Sequence, residues 1–257
     1  MTRRGLVFGN SHSAALRLAW RNGQAGWPGL TLEFAAASGD SMASFVVQDG
    51  VLTATEQAAQ DSLLALNGRN TFDLGSYDFF LISSGTPSMF HAVHLYRAAG
   101  IAAFAGRVDA PRVLMSRAAF QAALVGVMQG MMGHQLAAKL AVMGKPCFVT
   151  GHPRLSVVAK SDAKTYAGFL SVGKNGDAAL LAGLFEAAAE DAFAGLATYL
   201  AQPPHTIEDH LFTADIWRRG AIRLTPGDNV AQPGQDCLHA NAAYGALLID
   251  ALNAAVL

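Results

Sequence analysis

Two short stretches at opposite ends of the chain carry residues whose types and spacing could do acyl chemistry. The first is Gly5-Leu6-Val7-Phe8-Gly9-Asn10-Ser11-His12-Ser13, an apolar run that stops at a glycine and hands over to a polar turn. The second is Asp236-Cys237-Leu238-His239, just before an apolar segment that runs to the C-terminus. A serine hydroxyl becomes a nucleophile when a neighbouring base takes its proton, and a histidine does this best when an acid holds its tautomer. An aspartate three residues before a histidine can turn its carboxylate to one imidazole nitrogen and leave the other free. Ser11 also has a plainer reading: serine and asparagine both accept hydrogen bonds from the first N–H groups of a helix, so either can serve as an N-cap.

These residues need elements to position them. Leu6 to Phe8 read as a buried strand, Gly9 permits a sharp exit, and Ala14 to Trp20 have helical spacing and strong helix formers. Ser11 then lies where a strand ends and a helix begins, the edge at which doubly wound sheets bind ligands. Further strands are expected at Leu30–Ala36, Tyr77–Ile82 and Pro146–Thr150, the middle one nearly continuous in large apolar residues as a central parallel strand should be. Helices are expected at Glu56–Leu66, from Arg117 to about Gly144, and at Ala178–Leu200, with a short hairpin or loop after Phe45 and a strand-like run at Ala221–Leu224. Strands separated by helices argue for a flavodoxin-like parallel sheet in a three-layer α/β/α sandwich. Gly106 and Pro111 read as breakers in an excursion after Ile101, and Pro226–Gln235 as a Gly/Pro-containing lead into the Asp-x-x-His block.

With both ends in view, the chain resembles the SGNH or GDSL hydrolases. That family carries its nucleophile in a Gly-Asp-Ser-like block after the first strand and its acid and base in an Asp-x-x-His block before the last helix. Gly9-Asn10-Ser11 and Asp236-Cys237-Leu238-His239 match these blocks, with Asn10 in place of the aspartate. The resemblance implies the SGNH fold over a single domain, 1–257, and an acyl-enzyme on Ser11 with His239 and Asp236 as base and acid. It places the second-block glycine, whose N–H joins that of Ser11 in binding the oxyanion, at Gly39. It places the third block on Gly85-Thr86-Pro87-Ser88, where the family's oxyanion asparagine has no counterpart; Asn10, Ser88 and His134 are the candidates to replace it. Gly39-Asp40-Ser41 spells the family triplet literally but follows the second strand, so we assign it to the second block.

Other polar residues invite a functional and a structural reading. His134 interrupts an apolar helix, facing either the site or the core. His152 and Arg154 follow the strand at Pro146–Thr150 and are candidates for substrate contact or for plain loop roles. His91 and His94, three apart on a helix, have no third ligand on that helix, so no metal is expected. The segment Ile207–Arg219, with His210, Phe212 and Trp217, is a candidate pocket wall.

Composition narrows the function further. Residues of hydrophobic type make up 52% of the 257 and charged ones 14%, which supports a sizeable core and leaves room for a homodimer interface. The formal net charge of −1 supplies no basic field for nucleic acid or an anionic membrane, so a neutral small-molecule or carbohydrate ester is the expected substrate. Cys147 and Cys237 make no disulfide framework. The apolar run after Arg3-Arg4 is short for a secretory segment, and Gln129, His134, Gln135 and Lys139 interrupt the longest apolar helix, so a cytoplasmic protein is expected. No Gly-x-Gly-x-x-Gly or Walker loop follows a strand, and no cofactor is expected. The leading reading is a serine ester hydrolase; an O-acyltransferase on the same scaffold and a non-catalytic binding protein are the alternatives.

Overall fold

The computed structural model describes residues 2–105, 113–228 and 230–257. Five strands form one parallel sheet: β1 (Arg3–Gly9), β2 (Leu30–Ala36), β3 (Phe79–Ile82), β4 (Cys147–Thr150) and β5 (Thr198–Leu200). Their order is β5-β4-β3-β1-β2. Read from the other edge this is 2-1-3-4-5, a doubly wound order whose direction reverses between β1 and β3. Gly9 pairs with Ala36 and Phe8 with Ile82, so the loops after β1, β2 and β3 leave the sheet at one level.

Alternation along the strands sends side chains to two cores, each covered by helices. Leu6, Phe8, Phe80, Ile82 and Val149 enter the larger core. There they meet α2 (Gln57–Asn67), α3 (Met89–Ala98), α4 (Arg117–Gln129), α5 (Met132–Ala141), α6 (Ala167–Lys174) and α7 (Ala178–Phe193). Val7, Phe79, Leu81 and Phe148 face the other way, onto α1 (Ala14–Gly23) and α8 (Ala242–Val256). Leu16 and Trp20 of the first helix and Tyr244, Leu248 and Leu252 of the last complete that second core, and the Trp27 indole donates to Asp250 at 2.7 Å. The expected layered α/β arrangement is thus present, with α1 and α8 packed together on one face. No helix among the described residues is long and apolar enough to cross a membrane.

Five local expectations need correction or comment. The helix expected from Arg117 to Gly144 is two helices, broken where Gly130 caps α4 and Met131 turns extended. Gly133 at the start of α5 donates its N–H to the Gly85 carbonyl at 2.7 Å, an approach a continuous helix would not permit. The helix expected at Ala178–Leu200 ends at Phe193, and Gly195 turns with φ +73° so that the chain returns as β5. The strand-like run Ala221–Leu224 makes only a single bridge, Ile222 to Ala231. Gly106 and Pro111 lie outside the described residues. After Phe45 a hairpin is present, Phe45–Gln48 against Val51–Ala54, its Asp49-Gly50 turn taking positive φ at both positions as such turns require.

Candidate active site

The sheet order brings the two ends of the chain together. β1 ends at Gly9, whose chain curls so tightly that an added Cβ would lie 2.4 Å from the Ser13 Cβ. The turn Ser11–Ser13 that follows is held by Asn10 rather than by Ser11: the Asn10 carboxamide oxygen accepts the His12 N–H at 3.2 Å, and the Asn10 carbonyl accepts the Ser13 hydroxyl at 2.7 Å. The capping reading of Ser11 is therefore replaced by one in which its hydroxyl is free for another partner. That partner is His239, whose Nε2 lies 3.0 Å from the Ser11 Oγ.

His239 is held from its other side. Its Nδ1 is 3.0 Å from one carboxylate oxygen of Asp236, and its backbone N–H donates to the other oxygen at 3.0 Å. A carboxylate bonded to Nδ1 fixes the ring orientation and leaves Nε2 toward the hydroxyl. Burial alone would raise the Asp236 carboxyl, but its two hydrogen bonds to His239 outweigh this and hold it below the usual value. The Asp236 backbone carbonyl is held in turn by the Arg218 guanidinium at 3.0 Å, which also pairs with Asp215 at 2.9 Å. Asn241 caps α8 by accepting the Tyr244 N–H at 3.1 Å and ties to Trp217 through its own N–H at 2.8 Å. The Ile207–Arg219 segment thus supports the acid and base block through Trp217 and Arg218. His210 contributes a backbone carbonyl to Arg154, and Phe212 is buried in the core.

The other sequence-derived candidates divide. Asn10 joins three loops: its N–H donates to the Ser84 hydroxyl at 2.7 Å, its oxygen accepts from that hydroxyl at 2.7 Å, and its Nδ2 donates to the Gly39 carbonyl at 3.2 Å. Asn10 thus braces the three loops. Gly39 sits on an exposed turn with φ +55°, and neither its N–H nor that of Ser11 bonds to another described residue. Gly85, with φ +63°, gives its carbonyl to Gly133, and Ser88 caps α3. His134 packs its ring on Phe193, 5.3 Å between centroids. Ser41 donates to the Ser38 carbonyl at 2.6 Å within its own turn. Arg154 is buried in an ion pair with Glu186 at 2.6 Å, a loop role. Among the described residues no group of three or more His, Cys, Asp or Glu could hold a metal ion.

His152 does reach the site, through a residue that sequence reasoning quoted but gave no role. The His12 ring stacks on His239, 4.8 Å between centroids and 20° between planes, and His152 lies 4.0 Å behind it. The only early signal for His12 was its adjacency to Ser11. Burial, and then the neighbouring histidines, push the His12 imidazole well below its ordinary value; the same causes bring His152 down to about 4.

The depressed His152 value has a stability consequence. Between its ordinary value of 6.5 and about 4, the unfolded chain binds the proton and the folded chain does not, so stability falls as pH drops through this window. At 1.36 kcal/mol per pH unit the loss from His152 approaches roughly 3 kcal/mol. Urea unfolding at pH 7 and about pH 4.5 should show wild type losing more stability than His152→Gln by most of that amount; equal losses would contradict it.

The hollow lined by His239, Trp217 and Arg218 and the one lined by His12, Ser83 and Tyr244 are each about 10 Å³. Each is about the size of one water, so neither can house an alkyl chain. Two larger hollows lie elsewhere: about 370 Å³ along β2 beside Arg17 and Arg69, and about 280 Å³ at the opposite end of the sheet, beside Arg3 and Val256. Comparisons with known protein families, with curated proteins and with solved structures found no match to this chain.

Proposed function

We propose that this chain is a serine ester hydrolase of the SGNH kind, acting through an acyl-enzyme on Ser11. The observation that carries the reading is the unbroken series Ser11 Oγ, His239 Nε2, His239 Nδ1 and Asp236 Oδ1, with 3.0 Å at each hydrogen-bonded step. Ser11 Oγ attacks the carbonyl carbon of the ester while His239 Nε2 accepts the hydroxyl proton. The tetrahedral intermediate collapses with transfer of that proton to the leaving alcohol oxygen, leaving the acyl group on Ser11. Water then repeats the sequence, with His239 as base, and releases the carboxylic acid. Asp236 keeps the proton of Nδ1 in place and stabilises the imidazolium formed at each step.

The N–H groups of Ser11 and Gly39, which bond to no other described residue, are the donors for the oxyanion. Without a side-chain amide the site works with one donor fewer than the family uses, a deficit of about a hundred- to thousandfold in rate. That deficit is the one observation favouring a ligand-binding role; three catalytic side chains already in hydrogen-bonding register favour chemistry. The hollows beside His239 and His12 leave no room for a long alkyl chain, so the acyl group taken is a short one such as acetyl, with the alcohol portion outside.

Hydrolysis of p-nitrophenyl acetate tests the reading. Turnover that depends on Ser11 and falls off from acetate to octanoate is expected. No turnover by folded protein on acetate or on acetylated sugars, in the presence or absence of an alcohol acceptor, would overturn it.

A further inference from the structure

The mechanism above leaves His12 unused, although its ring is the closest aromatic surface to the general base. The His239 ring is held in its own plane by its Nδ1 contact with Asp236 and its Nε2 contact with Ser11, each 3.0 Å, but neither stops the ring from tipping out of that plane. His12 lies flat beneath it, 4.8 Å away and 20° from parallel. The turn that places His12 is built by Asn10, which accepts the His12 N–H at 3.2 Å, and by the buried Ser84 that grips Asn10. Behind His12 stands His152, its N–H bonded to the Pro87 carbonyl at 2.9 Å and its ring 4.0 Å from that of His12. The two rings share an unusual feature: His12 Nδ1 and His152 Nε2 are both buried without a hydrogen-bond partner among the described residues. Buried polar nitrogens are costly, so a pair of them directly under a proposed general base calls for a reason beyond packing.

We propose that His12 is a positioning residue for His239, an uncharged aromatic floor that holds the general base in line with Ser11 and turns a π face toward the imidazolium that forms during turnover. A π face attracts a cation placed over it, and the gain appears only when His239 takes the proton, which is when rate benefits. A floor that itself carried charge would repel that imidazolium, and burial keeps this one neutral. The titratable groups facing His12 are His239 from the block before α8 and His152 from the loop after β4, with His91 of α3 acting on His152.

This inference rests on the hydrolase reading, and its test separates the two. His12→Phe keeps an aromatic floor, whereas His12→Leu fills similar space without one. On p-nitrophenyl acetate His12→Leu should lower kcat by about tenfold to a hundredfold with KM within about twofold, while His12→Phe stays within about threefold of wild type. The low-field proton signal of the imidazole N–H bonded to Asp236 reports ring fixation without any turnover. It should stay sharp in wild type and His12→Phe and broaden in His12→Leu. Thermal unfolding checks that both variants are folded. His12→Leu with wild-type kcat and a sharp signal, or equal losses in both folded variants, would overturn the proposal. Absence of Ser11-dependent turnover together with the expected change in signal would overturn the hydrolase reading and leave the floor standing.

Discussion

Ser11→Ala is expected to lower turnover of p-nitrophenyl acetate by about 10⁴- to 10⁶-fold, the range seen when a hydroxyl nucleophile is removed from a working triad. The residue has no structural duty that would confound the result. Its Oγ bonds only to His239 among the described residues, and the turn around it is held by Asn10, Ser13 and Ser84. Truncation therefore leaves a shallow, solvent-accessible gap, and the melting temperature should move by no more than a degree or two, since changes away from packed or networked groups stay within about 0.5 kcal/mol. Ser41→Ala is the matching control. Ser41 donates to Ser38 in its own turn, and its loss should leave turnover unchanged. A large loss in Ser41→Ala with activity retained in Ser11→Ala would reverse the assignment of the Gly-Asp-Ser triplet.

The second large effect is expected at Gly245, far from any chemistry in sequence terms and yet at the joint that makes the site. Ser11 sits just before α1 and His239 just before α8, so their 3.0 Å contact depends on how those two helices cross. At the crossing the helices touch backbone to backbone: a Cβ at Gly245 would lie 2.2 Å from the Ala15 carbonyl oxygen and 2.8 Å from the Leu16 nitrogen. Neither atom can rotate aside. Gly245→Ala must push the helices apart, costing about 3 kcal/mol or more and, in a chain of this size, about 6–12 °C of melting temperature. Because the separation opens the Ser11–His239 contact, kcat should fall about a hundredfold in whatever fraction stays folded. Gly183→Ala provides the contrast. That glycine lies within α7 with nothing near its would-be Cβ, so alanine there should stabilise the protein by about 0.5–1 kcal/mol. A neutral Gly245→Ala would mean that the two helices are not in contact as described.

These two residues show what could and could not be read from the sequence. That Ser11, Asp236 and His239 could be brought together was legible because their places after the first strand and before the last helix are local features. The central strand Phe79–Ile82 was legible because a strand buried on both faces is continuously apolar. The edge strand Thr198–Leu200 was not. Three residues are too few to display a period of two, and an alanine-rich run before them carries helical propensity straight through Gly195. The break at Gly130–Met131 was hidden for a similar reason: what ends α4 there and starts α5 anew is the approach of Gly133 to the Gly85 carbonyl, a contact between residues 48 positions apart. In the site, His134 had the stronger sequence signal, a polar ring within an apolar helix, yet it packs on Phe193. His12 had almost none, because stacking on His239 is a relation between residues 227 positions apart. Arg218 was silent too, since its duty is to a backbone carbonyl at Asp236, and backbone partners leave no mark on residue choice. The missing amide in Gly85–Ser88 was visible as an absence. The proposed mechanism uses in its place the N–H groups of Ser11 and Gly39, which bond to no other described residue.

The central claim is that Ser11 is an activated nucleophile, and covalent capture tests it without knowledge of the natural substrate. Wild-type protein, Ser11→Ala and His239→Ala would be treated with a small alkyl fluorophosphonate at neutral pH, and the modified residue located by peptide mass spectrometry. Stoichiometric phosphonylation of wild type at Ser11, none in Ser11→Ala, and labelling slowed by several orders of magnitude in His239→Ala are predicted. Labelling of wild type at Ser41 or another serine, or labelling of Ser11 at the same rate with and without His239, would contradict the account.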